Sequence, residues 1–281
     1  MIQTETDKIG IIAGGGQFPL LFAKAAHSQG LKVYAAAHHG ETDEALAGHV
    51  ARLEWVKLGQ LGKIIDFFKQ NGVTKTVFIG SITKTNIFRD VRPDIKGLGL
   101  WNKINIKQDD AILRAVADRL EKDGIEVVAS TGYMPELLFP KGILTKKKPS
   151  KDQMNDIVFG WKIARSLGNL DIGQCVVVRN QTVLAVEAIE GTDAAIRRGG
   201  TLGKEKAVVV KLRKPNQDLR FDLPAVGMKT IDSMKEVHAA VLAVEAEYAL
   251  FFDRESVIQA ADNAGIVIVG ITKNVAEELS Y

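Results

Sequence analysis

Carboxylates alternate with basic side chains in one short segment, VKLRKPNQDLRFDLPAVG at residues 210–227. Its acidic members are Asp218 and Asp222. A carboxylate can hold Mg²⁺ through oxygen or orient an attacking water, and a lysine or arginine can neutralise charge on a phosphate. The segment therefore suits phosphoryl transfer. Its basic members are Lys211, Arg213, Lys214 and Arg220.

The spacing of the two aspartates indicates that only one of them binds the metal ion. Leu223 precedes Pro224, which favours an extended backbone nearby. In an extended segment Asp218 and Asp222 share one face and lie about 13 Å apart, so they cannot both bind one metal ion unless the chain bends. We favour Asp222 as the catalytic and metal-binding residue and Asp218 as structural. An exposed strand held by ion pairs would show the same pattern, and that alternative stays open.

A second candidate is the glycine-rich stretch GIIAGGGQFP, between an apolar run and an amphipathic one. A dinucleotide fingerprint needs a third glycine where Pro19 stands, and an acidic residue at the end of the second strand, where no carboxylate comes before Glu41. What remains is a set of exposed backbone N–H groups at a helix start, which favour anions. The stretch predicts an anion or nucleotide site, with a plain tight turn as the alternative. The residues concerned are Gly14, Gly15, Gly16 and Gln17.

Acidic residues also precede a predicted helix in VEAIEGTDAAIRR, residues 186–198. Glu187 and Glu190 come before Thr192 and Asp193, either of which could cap that helix. The carboxyl ends of strands are where α/β sheets bind ligands. The stretch is therefore a second candidate binding segment.

Neither the histidines nor the cysteine indicates a reactive centre. His38 and His39 come where the second strand should end, and no other ligand lies at metal-binding spacing, so we expect ordinary surface histidines. The single cysteine, Cys175, lies in the apolar run CVVV, which predicts a packing role.

Composition and charge narrow the class of protein. The 281 residues are 46% hydrophobic and 25% charged, with net charge +3, which is typical of a globular protein without a nucleic-acid partner. No run approaches about 18 apolar residues, and the N-terminus lacks the features of a signal peptide, so we expect a cytoplasmic protein. The cluster KKKPSK, Lys146–Lys151, is either a solvated linker or a contact for an anionic ligand or membrane surface.

Strands and helices alternate along residues 1–132, which predicts a Rossmann-like domain with a parallel, doubly wound sheet. Residues 133–150, with three prolines and the lysine cluster, are predicted to form a linker. Residues 151–281 predict a second α/β domain of mixed sheet, with two antiparallel strands around a polar turn at 179–181. Predicted strands include 8–13, 31–37, 51–58, 74–80, 125–130, 207–212, 248–253 and 266–271, and predicted helices include 17–29, 109–124, 192–198, 230–243 and 254–264.

Five motifs, in order along the chain, resemble one family. The stretches GIIAGGGQFP, DDAILRAV, LDIGQCVVVR, VEAIEGTD and KPNQDLRFDLPAVGMKTI are similar to those of the LpxI-type UDP-2,3-diacylglucosamine pyrophosphatases, up to about Thr272. The resemblance implies cleavage of UDP-2,3-diacylglucosamine into UMP and 2,3-diacylglucosamine 1-phosphate, a step of lipid A synthesis in Gram-negative bacteria. It also implies Mg²⁺-dependent attack of water on the α-phosphorus, in a cleft between the two α/β domains.

The resemblance further implies partners and site residues. The partners are a lipid-linked UDP-sugar substrate and, transiently, the membrane surface at the inner face of the inner membrane; a homodimer is left open. The essential aspartate is Asp222 or, alternatively, Asp218, and a basic residue is expected at Lys84 or Arg89. The implied substrate-binding residues are Gly14, Gly15, Gly16, Gln17, Asp109, Asp110, Glu190, Gly191, Thr192, Asp193, Lys211, Lys214, Gln217 and Arg220.

Two other functions compete with this one. An NAD(P)-dependent oxidoreductase would use the glycine stretch, and the missing glycine and acid argue against it. A non-catalytic regulator that binds a nucleotide sugar would use QDLRFDLP only as a strand held by ion pairs.

Overall fold

The chain divides into two compact units. The computed structural model describes residues 7–82, 94, 109–215, 217–221, 223–273 and 279–281. Residues up to Pro135 together with Asp218–Phe221 form the first unit, and the other described residues form the second. Both units combine helices with a sheet, as the alternating elements predict.

A five-stranded parallel sheet forms the centre of the first unit. Its strands are β1 (Lys8–Ala13), β2 (Lys32–His38), β3 (Arg52–Val56), β4 (Lys75–Ile79) and β5 (Glu126–Val127). Their spatial order is β3-β2-β1-β4-β5, so the winding direction reverses between β1 and β4. The apolar run of β1 is buried on both faces, as expected where helices cover a parallel sheet.

Three helices pack against the strands of this sheet: α1 (Phe18–Ser28), α2 (Leu61–Gln70) and α3 (Asp109–Lys122). The sequence LGKIIDFFKQ explains α2, because its large apolar residues recur at helical spacing and form one buried stripe. Short 3₁₀ helices cover Glu44–His49 and Ser130–Gly132.

The second unit contains a larger, mixed sheet. Its strands are β6 (Gly142–Ile143), β7 (Cys175–Arg179), β8 (Thr182–Val186), β9 (Val208–Lys211), β10 (Ala225–Val226), β11 (Val241–Glu245), β12 (Leu250–Phe251), β13 (Val267–Lys273) and β14 (Leu279–Ser280). The main sheet has the order β14-β13-β11-β9-β7-β8, with β6 added on β13. Strands β9, β11 and β13 are parallel, and β7 is antiparallel to β9 and β8. Strands β10 and β12 form a separate parallel pair.

Helices cover both faces of the mixed sheet. They are α4 (Lys151–Asn169), α5 (Thr192–Gly203), α6 (Met228–Glu236) and α7 (Arg254–Ala264). Helix α4 packs on the face that carries Val176 and Val210. The opposite face, with Cys175 and Val177, packs against α5 and α6, which confirms the predicted packing role of Cys175. Among the described residues, no helix combines the length and apolar character needed to cross a membrane.

The predicted helix over residues 230–243 is wrong at its end. Helix α6 stops at Glu236, and His238 then adopts a left-handed φ of 53°. Residues Val241–Glu245 form the strand β11, which is hydrogen-bonded to β9 on one side and β13 on the other. The local helical pattern is overridden because two neighbouring strands satisfy the backbone of this segment.

The segment predicted to be a linker, 133–150, contains an edge strand of the second sheet. Gly142 and Ile143 pair antiparallel with Gly270 and Val269. At the end of this segment Ser150 caps α4 in a reciprocal capping box with Gln153. The segment with the prolines and lysines therefore contains a paired strand and leads directly into helix α4.

A buried carboxylate holds the hairpin between β7 and β8. Asn180 and Gln181 both adopt left-handed φ values, 49° and 53°, as in a two-residue type I′ turn. Their backbone N–H groups donate to Oδ2 and Oδ1 of Asp156 at 3.0 and 2.6 Å. Asp156 lies on α4 and is buried. One side chain thus ties the hairpin to the helix that covers it.

We expect Asp156→Ala to lower the free energy of unfolding by about 1–3 kcal/mol, because two backbone donors lose their acceptor. Asp152→Ala is the matched control, since Asp152 is an exposed acid in the first turn of α4 and its loss should cost about 0.3–1 kcal/mol. Urea unfolding followed by far-UV circular dichroism measures both. Equal losses for the two variants would contradict the role of Asp156.

Candidate functional site

The glycine turn lies where the winding of the first sheet reverses, between the carboxyl ends of β1 and β4. Parallel α/β sheets bind ligands at such switch points. Here, however, the Gly14 N–H donates to the Ile79 carbonyl at 2.8 Å and the Gly15 N–H donates to Ser81 at 2.7 Å. The Ser81 N–H returns a bond to Gly15 at 3.1 Å. The prediction of exposed amides is therefore wrong at Gly14 and Gly15.

Close packing explains why glycine stands at the first of these positions. A Cβ on Gly14 would lie 2.4 Å from the Ser81 carbonyl oxygen, and Gly16 has a φ of +86°. These features fit the tight turn that was the alternative interpretation. Helix α1 begins directly afterwards, with Gln17 as N-cap residue and Pro19 in the first turn. Phosphate binding by Gly16 and Gln17 stays a prediction.

His38 is buried, so the expectation of a surface histidine is wrong. The carbonyl of Ala13 can only accept, so His38 donates to it through Nδ1 at 2.9 Å. Thr42 donates to the same carbonyl at 2.7 Å and accepts from the His38 backbone N–H at 3.0 Å. Burial is the largest influence on His38 and lowers its pKa. These bonds tie the end of β2 to the end of β1.

Residues Asp218–Phe221 form a turn, which corrects the prediction of an extended segment. The Phe221 N–H donates to the Asp218 carbonyl at 3.0 Å, and the Arg220 N–H donates to Asp218 Oδ1 at 3.1 Å. A short acidic side chain that binds the backbone two residues later favours such a turn. The Arg220 guanidinium also contacts both carboxylate oxygens of Asp218. This bonding is the largest of the influences that lower the pKa of Asp218.

The same turn packs on β4 and α3 within the first unit. Arg220 forms an ion pair of 2.8 Å with Glu121 on α3. The Phe221 ring meets the Phe78 ring on β4 edge to face, with centroids 5.3 Å apart. The residue after Phe78 is Ile79, which accepts from Gly14. The structure therefore brings the turn and the glycine segment to the same end of β4.

Several predicted site residues lie outside the described residues. Asp222, Lys84 and Arg89 are among them. Asp109 and Asp110 begin α3, but only their backbone is described. Their predicted roles stay predictions.

In the second unit, Glu187, Thr192 and Lys211 come together. Glu187 follows β8 and its N–H donates to the Cys175 carbonyl at 2.9 Å, while Cys175 pairs with Lys211 at the end of β9. Glu187 Oε1 accepts from the Thr192 hydroxyl at 3.0 Å. The helix N-cap is Gly191, without a side-chain cap, so the alternative that Thr192 or Asp193 caps the helix is wrong.

Both charged members of this group are buried. Lys211 is 5% exposed, and its Nζ donates to the Ala225 carbonyl at 2.7 Å. Glu187 is 7% exposed. Burial raises the pKa of Glu187, and the charge of Lys211 opposes that shift without cancelling it. Burial also raises the pKa of the Cys175 thiol, which is consistent with packing rather than reactivity.

The other predicted residues of the second unit make local contacts. Glu190 is exposed and forms an ion pair of 2.5 Å with Arg198, and Asp193 lies in the first turn of α5. Lys214 forms an ion pair of 2.8 Å with Asp171. Gln217 is buried, and its Oε1 accepts from the Lys214 N–H at 3.2 Å. These polar groups lie on the segments that follow β8 and β9.

Within the described ranges, no three histidine, cysteine, aspartate or glutamate side chains are placed to hold a metal ion together. Asp222 lies outside these ranges, so the predicted Mg²⁺ site stays a prediction. A magnesium ion in a phosphoryl-transfer site commonly uses only one or two carboxylates, together with water and substrate phosphates.

Fold and site define a two-domain α/β protein whose polar residues gather at the carboxyl ends of parallel strands. The family model of the LpxI N-terminal domain matches residues 8–137, and that of the LpxI C-terminal domain matches residues 140–269. The chain is 35% identical over 275 residues to the UDP-2,3-diacylglucosamine pyrophosphatase LpxI of Caulobacter vibrioides. The aligned region covers 94% of this chain and 97% of that protein. The chain belongs to the LpxI family, as its five motifs predict.

Two residues gain importance only in the structure. Glu187 was one of four acidic and polar residues in its segment. Its position directly after the last residue of β8 is the signal that separates it from the exposed Glu190. Phe221 was an apolar residue between two charged ones, and such a residue in a polar loop indicates a packing contact.

The burial of His38 predicts a pH dependence of stability. A buried neutral imidazole has a folded-state pKa below its unfolded value of 6.5, so its contribution to stability is present above pH 6.5 and is lost as the pH falls through the folded-state pKa. We expect the free energy of unfolding of the wild type to fall more steeply than that of His38→Asn between pH 7.5 and 5. The asparagine amide keeps a donor for Ala13 but does not titrate.

Urea unfolding at each pH measures this difference. His27→Asn is the control, because His27 is exposed on α1 and its loss should leave the pH dependence of the wild type in place. Identical pH dependence of the wild type and His38→Asn would contradict the prediction.

Proposed function

We propose that the chain hydrolyses the pyrophosphate bond of UDP-2,3-diacylglucosamine, giving UMP and 2,3-diacylglucosamine 1-phosphate. The observation that carries this proposal is the similarity to the pyrophosphatase of Caulobacter vibrioides over nearly the whole of both chains. Because both family domains match, the likeness includes the glycine turn, the Glu187 segment and the aspartate segment together.

Asp222 is the proposed catalytic residue, and it accepts a proton from the attacking water. The water oxygen forms a bond to the α-phosphorus, the bond from that phosphorus to the bridging oxygen breaks, and the bridging oxygen leaves with the lipid phosphate. The described residues on either side of Asp222 in sequence make defined contacts. Before it in sequence, the turn Asp218–Phe221 is held by an ion pair and a ring contact. After it, the carbonyls of Pro224 and Ala225 accept from Leu250 and Lys211 at 2.7 Å each.

Mg²⁺ is the proposed cofactor, and the Asp222 carboxylate would hold it together with the substrate phosphates. When bound, it supplies positive charge that stabilises the phosphates as negative charge develops. Asp218 is less suited to this role, because Arg220 already occupies both of its carboxylate oxygens.

Hydrolysis in water enriched with ¹⁸O tests both the reaction and the residue. The purified wild type with Mg²⁺ should release UMP carrying one ¹⁸O, because the water oxygen bonds to the α-phosphorus. Asp222→Asn should lower the rate at least about 100-fold by removing the proton acceptor while still binding the substrate. Mass spectrometry of the products and calorimetric titration measure these outcomes.

Asp218→Asn is the matched variant for this experiment. It removes the charge paired with Arg220 but keeps an oxygen for the turn, so we expect it to retain more activity than Asp222→Asn. Label in the lipid phosphate would refute attack on the α-phosphorus. Full activity of Asp222→Asn would refute its role, and sustained substrate binding without turnover by the wild type would favour a regulator.

We also propose a membrane contact for the second unit, since the proposed substrate carries acyl chains. Three large apolar side chains are exposed on two loops: Leu170, Ile172 and Ile189, with exposed fractions of 69%, 44% and 90%. The loops run side by side, because the backbone at Gly173 packs on the carbonyl of Glu187. Isolated apolar residues are ordinary on surfaces, but a cluster supports an interaction site.

The position of this cluster favours it over the lysines at residues 146–148. Those lysines precede α4, whereas Leu170 follows it, and the 19 residues of α4 separate the two ends by about 28 Å. The cluster is on the loops that also carry Asp171 and Glu190, near the predicted substrate-binding residues.

The triple variant Leu170→Ser, Ile172→Ser, Ile189→Ser should bind lipid vesicles at least about tenfold more weakly, because apolar area no longer enters the bilayer interface. Co-sedimentation with vesicles of phosphatidylethanolamine and phosphatidylglycerol measures the binding. Leu202→Ser removes another exposed apolar residue, at the end of α5, and should leave it unchanged. Loss of binding on replacing Lys146, Lys147 and Lys148 instead would place the contact at the other end of α4.

A further inference from the structure

Glu187 occupies an unusual position for a carboxylate. It is 7% exposed, its carboxylate lies beside the backbone of Gln174, and within the described part of the chain its buried Oε2 has no hydrogen bond of good geometry. Its other oxygen accepts from the Thr192 hydroxyl at 3.0 Å. Burial of a carboxylate is costly unless its interactions repay the cost. The arrangement therefore needs an explanation beyond packing.

The geometry of Thr192 limits what its hydroxyl can do. A threonine hydroxyl has one proton to donate and lone pairs that accept. Because that proton is directed to Glu187, the oxygen of Thr192 is left as an acceptor for any third group. Thr192 is only half-buried, so such a group can approach it. A phosphate oxygen without a proton is an acceptor and would find no donor in the Thr192 hydroxyl itself.

The surroundings hold Glu187 in place. Its N–H donates to Cys175 at 2.9 Å, which extends the pairing of β8 with β7 by one residue. Cys175 is opposite Lys211 in the neighbouring strand. Paired residues in adjacent strands project to the same face, so the Lys211 ammonium shares the face of Glu187 and provides a nearby positive charge. Lys211 is itself tied to the Ala225 carbonyl.

We propose that Glu187 is a positioning residue, which holds the Thr192 hydroxyl so that its oxygen accepts a hydrogen bond from an N–H or O–H group of the substrate. The inference rests on the proposed function, and it names the chemistry of one contact in that site. The donor is either on the uracil or on the acylated sugar. In either case Thr192 selects for a hydrogen-bond donor rather than for phosphate charge.

A double-mutant cycle tests the pair. Thr192→Val and Glu187→Ala should each raise KM about tenfold, the effect of one lost hydrogen bond, with kcat changed less than threefold. The double variant should also show a tenfold rise, because the second substitution removes nothing further. Glu187→Gln should retain most of the affinity, since its amide oxygen can still accept from Thr192.

Glu245 provides the matched control. It is also a 7% exposed carboxylate, at the end of strand β11 of the same sheet, but it pairs with Arg165 on α4, on the opposite face of the sheet. Glu245→Ala should affect stability without the rise in KM. A rise in KM as large as that of Glu187→Ala would mean that Glu187 acts only through general folding.

Binding of the two products locates the donor and separates this inference from the proposed function. Calorimetry with UMP and with 2,3-diacylglucosamine 1-phosphate should show weaker binding of one of them to Thr192→Val than to wild type. Unchanged binding of both, or a hundredfold KM effect in the double variant, would overturn the inference. If the wild type lacks turnover, the proposed function fails, whereas the coupling of Glu187 and Thr192 in the free energy of unfolding still reports their contact.

Discussion

The ammonium of Lys211 is the charge around which the polar part of the second unit is arranged. A buried cation must be hydrogen-bonded or paired, and Lys211 meets this requirement through the carbonyl of Ala225 and the field of Glu187. Glu187 in turn holds Thr192 at the beginning of α5. Lys211 therefore joins the end of β9 to the chain after Asp222, and its charge acts on the Glu187 carboxylate that bonds the beginning of α5. Removal of this charge should therefore disturb the end of β9, the beginning of α5 and the chain after Asp222.

The first unit uses its polar backbone groups differently. At the switch point between β1 and β4, two amides of the glycine turn close hydrogen bonds with the end of β4 instead of facing outward. The buried bonds of His38 and Thr42 to Ala13 fix the neighbouring end of β2. The turn Asp218–Phe221 packs on this hydrogen-bonded edge through Phe78.

Much of this arrangement could be predicted from the sequence, and the exceptions have physical causes. Helix α1 has apolar residues at helical spacing and strand β1 is an apolar run, so their bounds agree with prediction within a few residues. Strand β11 was missed because its local pattern suits a helix, while its true partners, β9 and β13, are distant in sequence. The turn at Asp218 was missed because a side-chain-to-backbone bond competed with the extended conformation expected beside Pro224. The motifs gave the family correctly, since they depend on residue identity rather than on long-range contacts.

The pairing of β6 with β13 affects when the second sheet can form during synthesis of the chain. All strands of the first sheet lie within residues 8–127, so that sheet can assemble while the ribosome is still synthesising the second half. The second sheet brings together residues 142–143 and 269–270, near opposite ends of its own segment. Its edge strand must wait for almost the whole remaining chain, and the apolar strand β9 lacks its partner β11 until residue 245 has been made. The second half is therefore the part of the nascent protein that most needs protection from aggregation.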